Sequence, residues 1–166
     1  MLSEAQVIER PAQPYVAIKA QVTMQTLGDD LPGLHPPVFA RLGERGIAPV
    51  GAPFWKYNVI DMERGLEVEV GVPIAAAVAG DDRVLAGVLP PGRYATVRYT
   101  GHPDGLFDAT GSLLKWADER GLTWDVSQAP EGDRWGARLE IYETDPAIEP
   151  DMSKWTTQLA FRLAGQ

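Results

Sequence analysis

Apolar and polar residues alternate most clearly over residues 66–74, LEVEVGVPI, where Leu66, Val68, Val70 and Val72 oppose Glu67, Glu69 and Gly71. A period of two predicts a half-buried strand. The same reasoning predicts strands over residues 15–24, 54–61, 93–100, 136–144 and 155–163, rich in β-branched or aromatic residues. Met62-Glu63-Arg64-Gly65 turns between the strands at 54–61 and 66–74, and a further short strand is expected within residues 80–92.

Helical spacing occurs twice. Residues 27–45 form a broken helical stretch with Pro32, Pro36 and Pro37 at its start, a stripe of Val38, Phe39 and Leu42, and Gly46 as its stop. Residues 106–120 carry the stripe Leu106, Leu113, Leu114 and Trp116, and Gly121 ends it. The order strand–helix–strand–strand therefore runs twice, over about residues 12–78 and 88–164. A unit that cannot cover its own sheet face buries it against a copy. The expected fold is α+β, one domain over residues 1–166. Duplicated β-α-β-β modules would form one antiparallel sheet with two main helices, arranged about a pseudo-two-fold axis.

Composition narrows the function. The 166 residues suit a single domain with a real core. With no Cys, disulfides, thiolate metal sites and a cysteine nucleophile are excluded. The only histidines are His35 and His102, whose spacing suggests no zinc site, so neither metal nor cofactor is expected. A formal net charge of −8 repels phosphate backbones, so direct nucleic-acid binding is not expected. The N-terminal MLSEAQVIERPAQ has no apolar signal core, and no stretch approaches the roughly 20 apolar residues of a membrane span. A soluble cytoplasmic protein without a membrane partner is the expectation. Ser3, Ser112, Ser127 and Ser153 lack a nucleophile-elbow context, and the glycines lack that of a phosphate cradle.

The candidate chemistry lies in LEIYETDP, residues 139–146. Parity puts Glu140 and Tyr142 on one face and Leu139 and Ile141 on the other. The first face meets either water, the commoner fate of a strand glutamate, or a pocket. In a pocket the carboxylate must protonate or find a positive partner, and aromatic walls attract an apolar cation. Glu67 and Glu69 share a face and divide between the same two readings. Tyr57 and Tyr142 each combine an apolar ring with a polar tip, which suits an amphipathic guest or plain packing. Trp155 opens the last strand, where a tryptophan is a common core plug, Phe54 and Met62 are candidate apolar lining, and Trp116 belongs to a helix's apolar face.

Several stretches, in order, resemble the GyrI-like small-molecule-binding family, also called the AraC effector-binding or SHS2-duplicated domain. They are PAQPYVAI, APFWKYNVIDM, LEVEVGVPI, LPPGRYATVRYTG, DGLFDATGSLLKWADERG and GARLEIYETDPAIEPDMSKWTTQLAFRL. The loop GHPDGL departs from the Gly-Pro-Tyr-Asp-Gly-Leu of many relatives and lacks its aromatic. The resemblance implies a groove between the halves for flat, apolar, often cationic molecules. Glu140 matches the carboxylate at its base and Trp155 an aromatic at its border. Tyr57 and Tyr142 are expected as further walls, with Phe54, Glu69 and Met62 as additional lining. In regulators of the family a DNA-binding segment precedes this domain; here the expectation is a chain that starts at the domain itself.

The expected function is a stand-alone binding protein that senses or sequesters planar hydrophobic, cationic small molecules. One alternative is a hydrolase of cyclopropane-bearing genotoxins, with Glu140 orienting or deprotonating water. Another is an interaction protein that protects gyrase, its acidic surface meeting a basic protein partner.

Overall fold

The alternating stretches become strands, and the two helical stripes lie against one face of the sheet they form. The computed structural model describes residues 1–165. The strands are β1 (Gln6–Arg10), β2 (Gln13–Val22), β3 (Phe54–Asp61), β4 (Gly65–Pro73) and β5 (Leu85–Leu89). They continue as β6 (Gly92–Thr100), β7 (Val126–Ala129), β8 (Gly132–Trp135), β9 (Arg138–Tyr142) and β10 (Thr156–Arg162). The helices are α1 (Leu27–Asp30), α2 (His35–Glu44) and α3 (Leu106–Glu119), with 3-10 turns at Pro32–Leu34, Pro103–Gly105 and Met152–Lys154. The sheet runs in the order β1-β6-β10-β9-β3-β4-β2-β5, its pairs antiparallel, and the β7–β8 hairpin attaches to β3 through β8. The architecture is α+β: a curled, mostly antiparallel sheet of 10 strands with two main helices.

α2 and α3 cover separate parts of one face. Val38 and Leu42 of α2, four residues apart on one stripe, pack with Val16, Val72, Ile74 and Val84. Ala109 and Leu113 of α3 pack with Val97, Trp135, Leu159 and Phe161. Phe39, expected in the α2 stripe, is 38% exposed, because Val38 and Leu42 already define the buried line. On the opposite face the sheet curls on itself. Tyr15 and Leu89 at one end join Tyr94 from the other across Phe54, Leu139, Ile141 and Ala160.

Both helices stop where expected. Gly46 (φ 69°) and Gly121 (φ 67°) take the left-handed conformation, which glycine adopts freely because it has no Cβ to clash. Ile47 N–H then returns to the Leu42 carbonyl at 2.9 Å, and Leu122 N–H to that of Ala117 at 3.0 Å, satisfying last-turn acceptors. Two features were not foreseen. β1 is an edge strand whose residues are mostly exposed, and the β7–β8 hairpin is short and largely polar, so neither shows a period of two.

The centre of the sheet is the β3–β9 pair, where Phe54 faces Ile141, Trp55 faces Glu140 and Lys56 faces Leu139. Ladders to either side are longer: β2–β4 runs from Tyr15↔Pro73 to Val22↔Leu66, and β6–β10 from Thr100↔Thr156 to Tyr94↔Arg162. Among the described residues no helix is long and apolar enough to cross a membrane.

Candidate functional site

α2 rests on β2 and β4 and α3 on β6, so β3 and β9 lie between the two helices as a seam. Trp55 and Tyr57 of β3 share the helix-side face with Glu140 and Tyr142 of β9, since Trp55 and Glu140 are register partners and residues two apart share a face. The same parity adds Arg138.

Glu140 is half-buried. Its Oε1 accepts the Tyr142 hydroxyl at 2.6 Å and the Tyr57 hydroxyl at 3.0 Å. Among the described residues no donor serves Oε2, which is also not sealed from solvent, and no ion pair reaches the carboxylate. Burial pushes the Glu140 carboxyl above its usual range, while the two tyrosine hydroxyls and the Arg138 charge pull the other way. Burial and the adjacent carboxylate hold both phenols well above their ordinary value, so they remain donors.

Aromatic rings cluster about Tyr142. Trp55 meets Tyr142 edge-to-face at 5.0 Å, and His35, the first residue of α2, meets Tyr142 at 6.1 Å. The Trp55 indole N–H donates to His35 Nε2 at 2.9 Å. An indole can only donate, so His35 is neutral with its proton on Nδ1, and that buried N–H has no partner among the described residues. Burial also lowers the His35 pKa. Further down the seam, the Arg138 guanidinium lies 4.8 Å from the Trp135 ring centre and 4.6 Å from that of Phe161.

The structure thus brings together Glu140, Tyr57 and Tyr142. Trp155 immediately precedes β10, in which Thr157 is the register partner of Tyr142, so it leads in at the Tyr142 end. Its indole N–H is spent on the Glu149 carbonyl at 2.7 Å. Phe54 and Glu69 lie on the opposite face of the sheet from Glu140, apart from the seam. Phe54 packs edge-to-face on Tyr15 at 5.4 Å. Glu69, 7% exposed, accepts from Tyr15 at 2.5 Å and Asn58 at 2.6 Å and lies 3.6 Å from Lys56 Nζ, so its charge is already met. Met62 stands 54% exposed in the β3–β4 turn.

Reading the sequence missed His35 and Arg138. Arg138 had a signal, since it is two residues before Glu140 in a strand. His35 had none, because its contact with Trp55 is made across 20 residues of chain. A cleft of about 260 Å³ between the β3–β4 turn and the β7–β8 hairpin is lined by Gln21, Val59, Arg64, Gly65, Glu67 and Glu131, and does not include Glu140. Among the described residues no group of three or more His, Asp or Glu could hold a metal ion.

Residues 3–163 match the family described as the GyrI-like small molecule binding domain. The chain belongs to this family. Its GyrI-like fold recurs in solved structures. The EcmrR C-terminal domain is 16% identical, with a TM-score of 0.78 and full coverage of both chains. In EcmrR bound to DNA, at 17% identity and a TM-score of 0.77, 98% of this chain matches but it spans only 58% of that chain's length. SAV2435 bound to tetraphenylphosphonium is 11% identical over 98% of this chain and 94% of that one, with a TM-score of 0.63. A hydrolase from Listeria innocua is 14% identical over 97% and 92%, with a TM-score of 0.65. At these identities the likeness is one of fold.

Proposed function

We propose that this GyrI-like domain binds planar, apolar, cationic small molecules in the seam between its two helices and serves to sense or sequester them in the cytoplasm. Glu140 is the charge anchor, Tyr57 and Tyr142 hold it in place, and Tyr142, Trp55 and Trp155 supply ring surface. One observation carries the reading: a half-buried carboxylate with one oxygen held by two tyrosines, the other without a donor and no cation paired to it among the described residues. An apolar cation would supply the missing charge and stack on the rings around it. That SAV2435 holds tetraphenylphosphonium in the same fold supports the charge preference. We also read residues 12–78 and 88–164 as copies of one module, in keeping with β2-β4-β3 and β6-β10-β9 flanking the β3–β9 pair in mirrored order.

The test is fluorescence titration of cationic and neutral aromatic dyes of equal size against the wild type and Glu140→Gln. A hydrogen-bonded charge pair is worth about 1.5–3 kcal/mol, so cations should weaken roughly tenfold to hundredfold while neutral dyes change little. Equal losses for both classes would remove the charge anchor. The raised Glu140 carboxyl with a free oxygen also favours a second reading, hydrolysis of a cyclopropane-bearing genotoxin by water activated at that oxygen. Catalytic release of ring-opened product would select it, and stoichiometric binding alone would discard it.

A further inference from the structure

Arg138 is a half-buried cation whose N–H donors meet no acceptor among the described residues. It lies over the faces of Trp135 and Phe161, and neither ring face offers a conventional lone-pair acceptor. Those donors are not sealed in, since among the described residues the one buried side-chain polar atom left without a partner is His35 Nδ1. Burial lowers the Arg138 pKa, and Tyr57 is within electrostatic reach of both Arg138 and Glu140. The arginine and Glu140 are two residues apart on β9 and on one face, yet no ion pair joins them. The seam therefore presents a carboxylate oxygen without a donor and a guanidinium without a hydrogen-bond acceptor, two residues apart on one strand face. A guest carrying only positive charge satisfies the first and is repelled by the second. A guest with a cationic nitrogen and an oxyanion satisfies both, and the planar guanidinium suits a carboxylate through two parallel hydrogen bonds.

We infer that the guests of this seam are aromatic zwitterions, with the cationic nitrogen on Glu140 and a carboxylate or comparable oxyanion on Arg138. This rests on the seam being the binding site and adds a second charge to the ligand it takes. Such a guest is neutral overall, so the acidic surface does not repel it at long range.

The test compares two fluorescent dyes on the full chain: a carboxyl rhodamine in its zwitterionic form and its cationic methyl ester. The wild type should bind the zwitterion about tenfold or more tightly than the ester. Arg138→Met should abolish that preference, Arg138→Lys should keep part of it, and Glu140→Gln should weaken both dyes. An ester preference in the wild type, or a zwitterion preference that survives Arg138→Met, overturns the inference. A second measurement does not depend on the dyes: the Arg138 side-chain N–H resonance of Glu140→Gln, in which no neighbouring carboxylate repels an anion, followed by NMR while naphthoate is added. If neither dye binds but that resonance shifts with naphthoate, the cation-binding reading of the seam fails while the oxyanion site at Arg138 stands. If the resonance does not move, the inference is wrong whatever the dyes do.

Discussion

Replacing Tyr142 with Phe deletes one hydroxyl and leaves the ring that packs on Trp55 and His35. The lost bond, 2.6 Å to Glu140 Oε1, is the shorter of the two that hold the carboxylate. A hydrogen bond to a charged group contributes about 1.5–3 kcal/mol, against about 1 kcal/mol between neutral partners. Tyr142→Phe should therefore cost about 1.5–3 kcal/mol at pH 7.5, at roughly 2–4 °C in Tm per kcal/mol for a chain of this size. In a Glu140→Gln background the hydroxyl meets a neutral amide oxygen, so the same change should cost only about 1 kcal/mol, giving a coupling of about 0.5–2 kcal/mol. The pH dependence has a definite sign. Burial raises the Glu140 carboxyl, and the Tyr142 hydroxyl is the largest influence opposing it. Removing Tyr142 raises the carboxyl further, so the gap between wild type and variant is widest when Glu140 is charged. It narrows as pH falls through the raised native value. Urea unfolding of the four proteins at neutral and acid pH measures all of this. A cost identical in both backgrounds would mean that the short contact with Glu140 carries no charge-assisted energy.

Two further consequences are open to direct measurement. His35 is held neutral by burial and by its role as acceptor for Trp55, so its imidazole NMR signals should show the Nδ1–H tautomer and titrate below the ordinary 6.5. Because the unfolded chain protonates first, this group should withdraw stability as pH drops below that value, and His35→Phe should flatten the dependence; titration at or above 6.5 would contradict the assignment. On the opposite face, a Cβ at Gly71 would lie 2.6 Å from Phe54 Cζ, so Gly71→Ala should cost about 1–3 kcal/mol through overpacking, read as a lower urea midpoint. An unchanged midpoint would show that the ring yields freely.

How far the sequence could be read depended on which interactions are local. β3 was expected at residues 54–61 and is found there, and the stops at Gly46 and Gly121 rest on helix-end geometry within a few residues. The pairing of Glu140 with Tyr142 followed from parity within one strand. The same rule carries a warning about Phe54 and Tyr57, three residues apart on β3, which it places on opposite faces. Glu69 illustrates the other difficulty. Alternation shows that it shares a face with Glu67, yet which face that is depends on the β3–β4 register and on Tyr15 reaching over from β2. β1 and the β7–β8 hairpin went unread because strands held mainly by backbone bonds at an exposed margin need no apolar rhythm.

The brevity of the β3–β9 ladder has a mechanical consequence. A wide sheet flexes most readily where its cross-links are fewest, and here the three central rungs separate two more heavily laced flanks. The tyrosine clasp on Glu140 bridges that line, since Tyr57 belongs to β3 and its acceptor to β9. The carboxylate is thus also a fastener between the two sides of the molecule, and whatever settles against it bears on the crease along which those sides would bend.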